Sequence, residues 1–336
     1  MKRNIFVLLT CFLLFGILSG CSNITKADSN NKEVLRFGYA SNSQPVIDAM
    51  NEFGRLLSKK TNGEVEVEYF PDGQLGGERE LIELTQTGAI DITKVSGSAL
   101  EGFSNQYSIF GIPYLFDSED HYYQVLENSK IMDPIYQSTE DVGLTGLTYY
   151  DSGARNFYMT DGPVETPDDL HGKKIRVMQS ETAIEMVELL GGSPTPMGSD
   201  EVYTSLQQGI LDGAENNEFV LDTAGHGEVT KYYSYDEHTR VPDIVVMNKE
   251  TLNNLTTQQR EAVFEAAEES TAFQKEVWRE AVENEKETAI EKHGVEFNKV
   301  DKKAFQEAVQ PIHEEFKYNE EFSDAYEAIR NLAENE

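Results

Sequence analysis

An α/β fold is predicted by two features of the sequence. Residues 34–95 run strand, helix, strand, helix, strand, an order that requires parallel pairing and therefore an open sheet. Part of the pattern then recurs. Gln86-Thr87-Gly88-Ala89-Ile90-Asp91 is echoed by Gln207-Gln208-Gly209-Ile210-Leu211-Asp212, each segment closing a helix with Gly and entering a strand. Ligands in open α/β sheets sit at the carboxyl ends of strands. The polar ends Ser96 to Ser98 and Glu215 to Asn217 would make a cleft between lobes if the two halves faced each other.

Residues 34–39 alternate as a strand, and Pro45 near the first helical position opens an amphipathic helix over 46–60. Thr61-Asn62-Gly63 stops it. Residues 65–70 form a second strand, and the loop 71–77 leads to a helix over 78–87 with Gly88 as its C′ residue. Residues 89–95 are the third strand. An apolar run over 107–116 precedes a helix over 118–128 capped by Ser118. Residues 144–150 are β-rich, and Arg155 follows across Asp151-Ser152-Gly153. Thr166-Pro167 starts a short helix before the strand Ile175-Arg176-Val177. Ser180 caps a helix over 181–190 that Gly191-Gly192 ends. Residues 194–197 are an extended crossover, and Ser199 opens a helix to 208. Residues 234–248 are expected to be one crossing strand. From 257 to 293 the chain is helix-patterned without Pro or Gly. At about 1.5 Å per residue this is on the order of 55 Å, long enough to brace two lobes. Asp301 starts a further helix interrupted at Pro311, and a last helix begins at Ser323.

The N-terminus carries a basic Met1-Lys2-Arg3 and an apolar stretch over 5–18, too short and too early for a stable span, so it reads as a secretory signal. It closes with Leu18-Ser19-Gly20-Cys21, which resembles the lipobox of bacterial lipoproteins, whose Cys is lipid-modified and becomes the first mature residue. The polar segment 22–32 then suits a flexible tether. Cys11 is the other of two cysteines and lies in the removed segment, which excludes disulfides, Cys-ligated metal and a cysteine nucleophile. Removing the first 20 of 336 residues leaves 316, enough for two α/β lobes or one large domain. The net charge of −32 becomes −34 without Lys2 and Arg3, which argues against nucleic acid as a partner. There is no Gly-x-Ser-x-Gly elbow, and the six histidines show no metal-ligand spacing. Neither an enzyme nor a cofactor is expected.

Nine arginines follow Arg3, and Arg55, Arg79, Arg260, Arg279 and Arg330 lie in polar helical segments as solvated surface. Arg155 and Arg176 differ, because they sit on strand-like segments, Arg155 after the β-rich run 144–150 and Arg176 with apolar neighbours on both sides. A guanidinium there keeps its proton and needs a partner, and its planar fork matches a carboxylate bidentately. That partner is either a small organic acid or an internal acidic residue. His238 is read as a satisfied crossing-strand residue and Trp278 as packing.

Arg176, Gly191 to Met197, Glu201-Val202-Tyr203, Leu206-Gln207 and Asp212-Gly213-Ala214-Glu215-Asn216 occur in order, with Gly73 to Glu80 and Ile112-Pro113-Tyr114 upstream. Over essentially the whole mature chain the sequence resembles the TRAP-transporter solute-binding proteins of the DctP family. The resemblance implies a two-lobed, periplasmic-binding-protein-like α/β fold, with crossing strands as hinge and the long helix bracing both lobes. The division is then 1–20 signal, 21–32 tether, 33–152 first lobe, 153–245 second lobe and 246–336 C-terminal helices. The implied function is capture of an organic acid by a monomeric receptor on the outer face of the cytoplasmic membrane, anchored through Cys21, which serves the small and large membrane subunits of a permease. Arg176 would salt-bridge the ligand carboxylate, Arg155 support it and Asn216 orient it, with Gln179 and Ser96 at positions that vary with substrate. Ser199 stands where sialic-acid-binding relatives carry an aromatic residue. Residues 153–158, Glu215-Asn216-Asn217 and Glu237 to Pro242, with Arg240, resemble members that bind hexuronates such as glucuronate or galacturonate. A dicarboxylate or another sugar acid as ligand, or a ligand-sensing surface lipoprotein, are the alternatives.

Overall fold

The computed structural model describes residues 32–40 and 43–333; the signal segment and the expected anchor Cys21 lie outside them. The strands are β1 (Glu33–Tyr39), β2 (Val65–Phe70), β3 (Ile92–Ser96), β4 (Leu144–Tyr150), β5 (Arg155–Met159), β6 (Lys174–Val177), β7 (Ser193–Pro196), β8 (Gly213–Asn216), β9 (Tyr232–Thr239), β10 (Asp243–Asn248) and β11 (Glu296–Lys299). The helices are α1 (Gln44–Lys60), α2 (Glu78–Gln86), α3 (Glu119–Leu126), α4 (Ser129–Gln137), α5 (Glu181–Leu189), α6 (Val202–Gln207), α7 (Phe219–Thr223), α8 (His226–Val229), α9 (Lys249–Asn254), α10 (Thr257–His293), α11 (Lys303–Ala308), α12 (Gln310–Tyr318) and α13 (Ser323–Ala333).

They build two mixed sheets with helices on both faces, one lobe around each. The first has the order β2-β1-β3-β10-β4 and the second β11-β9-β5-β8-β6-β7. The strand-helix-strand alternation of the first 60 described residues is a parallel β2-β1-β3 unit, with Phe37 opposite Ile92. The echoed segments occupy matching places: α2 and α6 each end at a Gln, Gly88 and Gly209 both have left-handed φ (70° and 68°), and β3 and β8 follow.

Helix α1 shows why burial fixes the first lobe. Val46, Met50, Phe53 and Leu57 recur at helical spacing and are buried with Leu35, Phe37 and Met247 of the sheet and with Val263, Ala266 and Ala267 of α10. Each such side chain contributes about 1.5 to 3 kcal/mol on leaving water. The long helix α10 is bonded to the end of β4: Thr271 Oγ1 donates to the Tyr149 carbonyl at 2.8 Å, and Gln274 receives the Asp151 N–H at 2.9 Å and donates to the Asp151 carbonyl at 2.8 Å. Farther along, Trp278 packs on Phe219 of α7, with ring centroids 4.5 Å apart, and Ala289 joins the core of the second lobe. It therefore braces both lobes.

Four expectations need correction. The single crossing strand over 234–248 is two strands. β9 ends at Thr239 in the second sheet, the chain crosses at Arg240-Val241-Pro242, and β10 hydrogen-bonds between β3 and β4 in the first. Proline has no N–H for a ladder, and the Pro242 carbonyl instead accepts the Gly97 N–H at 2.8 Å. The expected lobe boundary at 245 falls inside β10. The extended crossover over 194–197 is the edge strand β7, parallel to β6, and edges tolerate proline. The helix expected over 118–128 ends at Leu126, and α4, with Pro134 inside it, follows after Asn128 caps its start. A second short crossing, from β4 to β5, turns at Gly153, whose φ of 68° suits glycine and where an added Cβ would lie 3.2 Å from the Trp278 ring.

Candidate functional site

A cavity of about 410 Å³ opens between the sheets where β3, β6 and β8 end. Ser96, Arg155, Arg176, Asn216 and Asn217 all line it, with Glu78, Lys94 and Asp243 on the first lobe and Trp278 and Phe219 of the long-helix junction.

Arg176 stands in β6 opposite Ala214 of β8 and Thr195 of β7. The strand alternation sends Ile175 and Val177 into the core and Arg176 to the cavity. Its Nε and Nη2 donate to one acceptor, the Met197 carbonyl, at 3.2 and 2.9 Å. Although the residue is only 5 % exposed, no carboxylate forms an ion pair with it among the described residues. Burial pulls the guanidinium below its ordinary value, and Glu215 does not fully offset this. An arginine keeps its charge even so, leaving a buried cation held by a carbonyl.

Arg155 begins β5, whose antiparallel pairing sets Asn156 opposite Asn216 of β8. It too is 5 % exposed, but it is fully engaged. Its Nε and Nη2 donate to the two Glu215 carboxylate oxygens at 2.5 and 2.9 Å, Nη2 also to the Glu215 carbonyl at 2.8 Å, and Nη1 to Asn216 Oδ1 at 3.1 Å. Glu215 meets His238 Nε2 at 3.3 Å, and His238 Nδ1 meets Asp236 at 2.7 Å. Asp236 in turn accepts the Phe157 N–H at 3.1 Å. Burial alone would raise Glu215, but Arg155 and His238 override it and hold the carboxyl at about 2. Burial would likewise lower His238, yet Asp236 and Glu215 raise it to about 9. The result is a buried row of alternating charges, Arg155, Glu215, His238 and Asp236.

Asn216 Oδ1 is taken by Arg155 and by the Asn217 N–H at 2.9 Å. Its amide NH₂, which has no partner among the described residues, is left to donate. The Asn217 side chain is fastened to the crossing, donating to the Ser152 carbonyl at 2.8 Å and accepting the Phe219 N–H at 3.1 Å. Ser96 closes β3 with its N–H on Glu78 at 2.8 Å and its Oγ 3.4 Å from Met178 Sδ of the other lobe. Two expected site residues fall elsewhere. Gln179 is exposed and lines an adjoining cavity of about 440 Å³ that shares Arg176, Glu78 and Ser199 with the first. Arg240 lines a separate cavity with Tyr114, Glu237 and Lys302, because the crossing turns it away from the arginine pair.

Sequence reasoning missed Glu78, Lys94, Asp243 and Trp278. Lys94 was the visible signal, a charge inside an otherwise apolar strand, and it is buried against Asp243 at 2.8 Å. Glu78 read only as a helix start and Asp243 only as part of a crossing. Trp278, expected as packing, does pack on Phe219 and also borders the cavity.

Residues 37–320 match the family described as DctP, bacterial extracellular solute-binding protein, family 7. The chain is 51% identical over 330 residues to uncharacterized protein YiiZ of Salmonella typhimurium, covering 98% of this chain and 99% of that one. A TRAP periplasmic solute-binding protein from Anaerococcus prevotii, crystallised with α/β-D-glucuronate, superposes with a TM-score of 0.87 at 41% identity, over 90% of this chain and 99% of that chain. A second, from Sulfitobacter sp. NAS-14.1 with β-D-galacturonate, gives 0.84 at 34% identity over 89% of this chain and 100% of that one. With two lobes, a polar cleft between them and a family match across most of its length, the chain belongs to the DctP family, the extracytoplasmic solute-binding receptors that serve the membrane permeases of TRAP transporters.

Proposed function

We propose that this receptor captures a hexuronate, such as glucuronate or galacturonate, and that Arg176 is the group that holds its carboxylate. The observation that carries this is the state of Arg176: a buried guanidinium facing a cavity with, among the described residues, a single carbonyl as hydrogen-bond partner. An incoming carboxylate supplies what the fold withholds, two parallel charge-assisted hydrogen bonds in a poorly hydrated cleft. Asn216 offers its amide NH₂ beside it. Arg155, saturated by Glu215, contributes mainly by fixing Asn216 and the end of β8. The bound sugar acids of the two solved relatives support the substrate class.

Closure follows from the two short crossings at Asp151 to Ala154 and Arg240 to Pro242, where chain passes between the sheets, the long helix α10 being the third passage, from β10 to β11. Rotation about them brings the Glu78 side onto a ligand held by the Arg176 side. Calorimetric titration with D-glucuronate and D-galacturonate tests the assignment. Micromolar or tighter binding by either, with none by the matching neutral sugar, is expected, because a neutral sugar leaves Arg176 desolvated and unpaired. Saturation at about 100 times the Kd should add roughly 2.7 kcal/mol of stability, and scattering should report a smaller radius of gyration with ligand.

The monomeric state and the lipid anchor at Cys21 belong to the same proposal, the anchor supported by the Leu18-Ser19-Gly20-Cys21 sequence. Cys21→Ala should release the protein from membranes, and an unmodified Cys21 in the native protein would withdraw the anchor.

A further inference from the structure

The first lobe presents the cavity with charge of the opposite sign. Glu78 opens α2 and accepts the Ser96 N–H at 2.8 Å. Lys94 and Asp243 come from the paired strands β3 and β10 and join at 2.8 Å, 1 % and 7 % exposed. All three line the cavity. The Lys94–Asp243 pair compensates itself, as Arg155 and Glu215 do across the cleft. Among the described residues that line the cavity, what is left is one cation outside any ion pair, Arg176, and on the facing lobe the carboxyl of Glu78, with the exposed Asp72 and Asp200 also in the lining. Removal from water already pushes Glu78 up, with Asp243 adding to the effect and Lys94, the Ser96 N–H and Arg176 opposing it.

We propose that Glu78, with the Lys94–Asp243 pair beside it, forms a hydroxyl-recognising subsite that restricts this receptor to monoacids. The proposal rests on the reading of Arg176 as the carboxylate clamp and adds a rule for the far end of the ligand. Carboxylate oxygens accept from sugar hydroxyls, and the Lys94 ammonium donates to them. A second carboxylate in the same place meets Glu78 in a closed, poorly hydrated space, where like charges repel strongly. Among the described residues the cavity holds one cation outside any ion pair, Arg176, for one acid group. Glucarate, which differs from an open-chain glucuronate by oxidation of the far carbon, is therefore excluded, and so are short dicarboxylates.

The test is calorimetry at pH 7 on the wild type and on Glu78→Gln, with glucuronate, galacturonate, gluconate, glucarate and succinate. Glutamine keeps an oxygen for the Ser96 N–H, and the apo melting temperature checks that the variant is folded. In the wild type the best monoacid should bind roughly 100-fold tighter than glucarate. In Glu78→Gln that ratio should fall about tenfold, through a gain in glucarate affinity. Equal wild-type affinity for glucuronate and glucarate overturns the monoacid rule while leaving the hexuronate reading intact. An unchanged ratio in Glu78→Gln overturns the assignment to Glu78. Binding of gluconate with rejection of both uronates and of glucarate keeps the rule and removes the hexuronate reading. Binding of only the diacids, or of none of the five, overturns both. Should Glu78→Gln fail to fold, the wild-type ratios still decide the rule.

Discussion

Arg155 and Arg176 stand on strands of one sheet, line one cavity and are equally buried, yet the fold treats them differently. Arg155 receives a bidentate carboxylate, a carbonyl and an amide oxygen. Arg176 receives one carbonyl. A guanidinium whose needs are met within the chain holds the structure, whereas one left short is the group proposed above to take a ligand carboxylate. The difference is not settled by their own neighbours in sequence, Ala154 and Asn156 for one and Ile175 and Val177 for the other. It comes from β8, which sets Glu215 beside Arg155 and only Ala214 opposite Arg176.

The sharpest way to break this contrast is to remove the internal carboxylate. Glu215→Ala strands Arg155 and His238 as buried charges, and the apo protein should lose about 3 to 5 kcal/mol in denaturant unfolding. Arg176→Lys should leave apo stability nearly unchanged and cost about 2 to 5 kcal/mol of ligand binding by calorimetry, so that a ligand held at about 1 µM falls towards the millimolar range. Wild-type affinity in that folded variant would remove the clamp. Arg155→Lys keeps the charge without the fork and should shift the balance the other way, losing about 1.5 to 3 kcal/mol of apo stability for the charged hydrogen bonds and less ligand affinity than Arg176→Lys.

The smallest effect is in pH. His238 is raised above its ordinary 6.5 to about 9, so its stabilisation is complete below 6.5 and lost as pH rises through 9. Glu215 is depressed from 4.5 to about 2, so its stabilisation is present above 4.5 and lost as pH falls through 2. Apo melting temperature should therefore be flat between 4.5 and 6.5 on account of these groups and decline towards pH 9, and His238→Gln should flatten the alkaline limb.

The local rules carried much of the fold. Ser118, Ser180 and Gly88 act at the helix ends where their side chains or backbone predict, and the helix from Thr257 to His293 has the predicted bounds. What failed was non-local. Periodicity reads 234–248 as one strand because alternation continues through the crossing, and no pattern of apolar residues says that a strand changes sheets. The same limit governed the site. Arg155 and Arg176 were visible as charges on strands, but which one an acidic residue would neutralise depends on strand order. Glu78 and Lys94 come from the consecutive α2 and β3, and Asp243 from the distant β10, which meets them only in the folded molecule. Arg240 failed for the converse reason: it is close in sequence to β10 and turned into another cavity.

Trp278 is the chain's single tryptophan, and the long helix sets it against Gly153 at one crossing and Phe219 beside the cleft. The protein thus carries one indole emitter, placed where the proposed closure would change the water content of the cleft. Its emission wavelength and quenching by iodide become an optical readout of occupancy that needs no label, and stopped-flow traces from that one residue should separate the encounter of ligand with the cleft from the closure that follows.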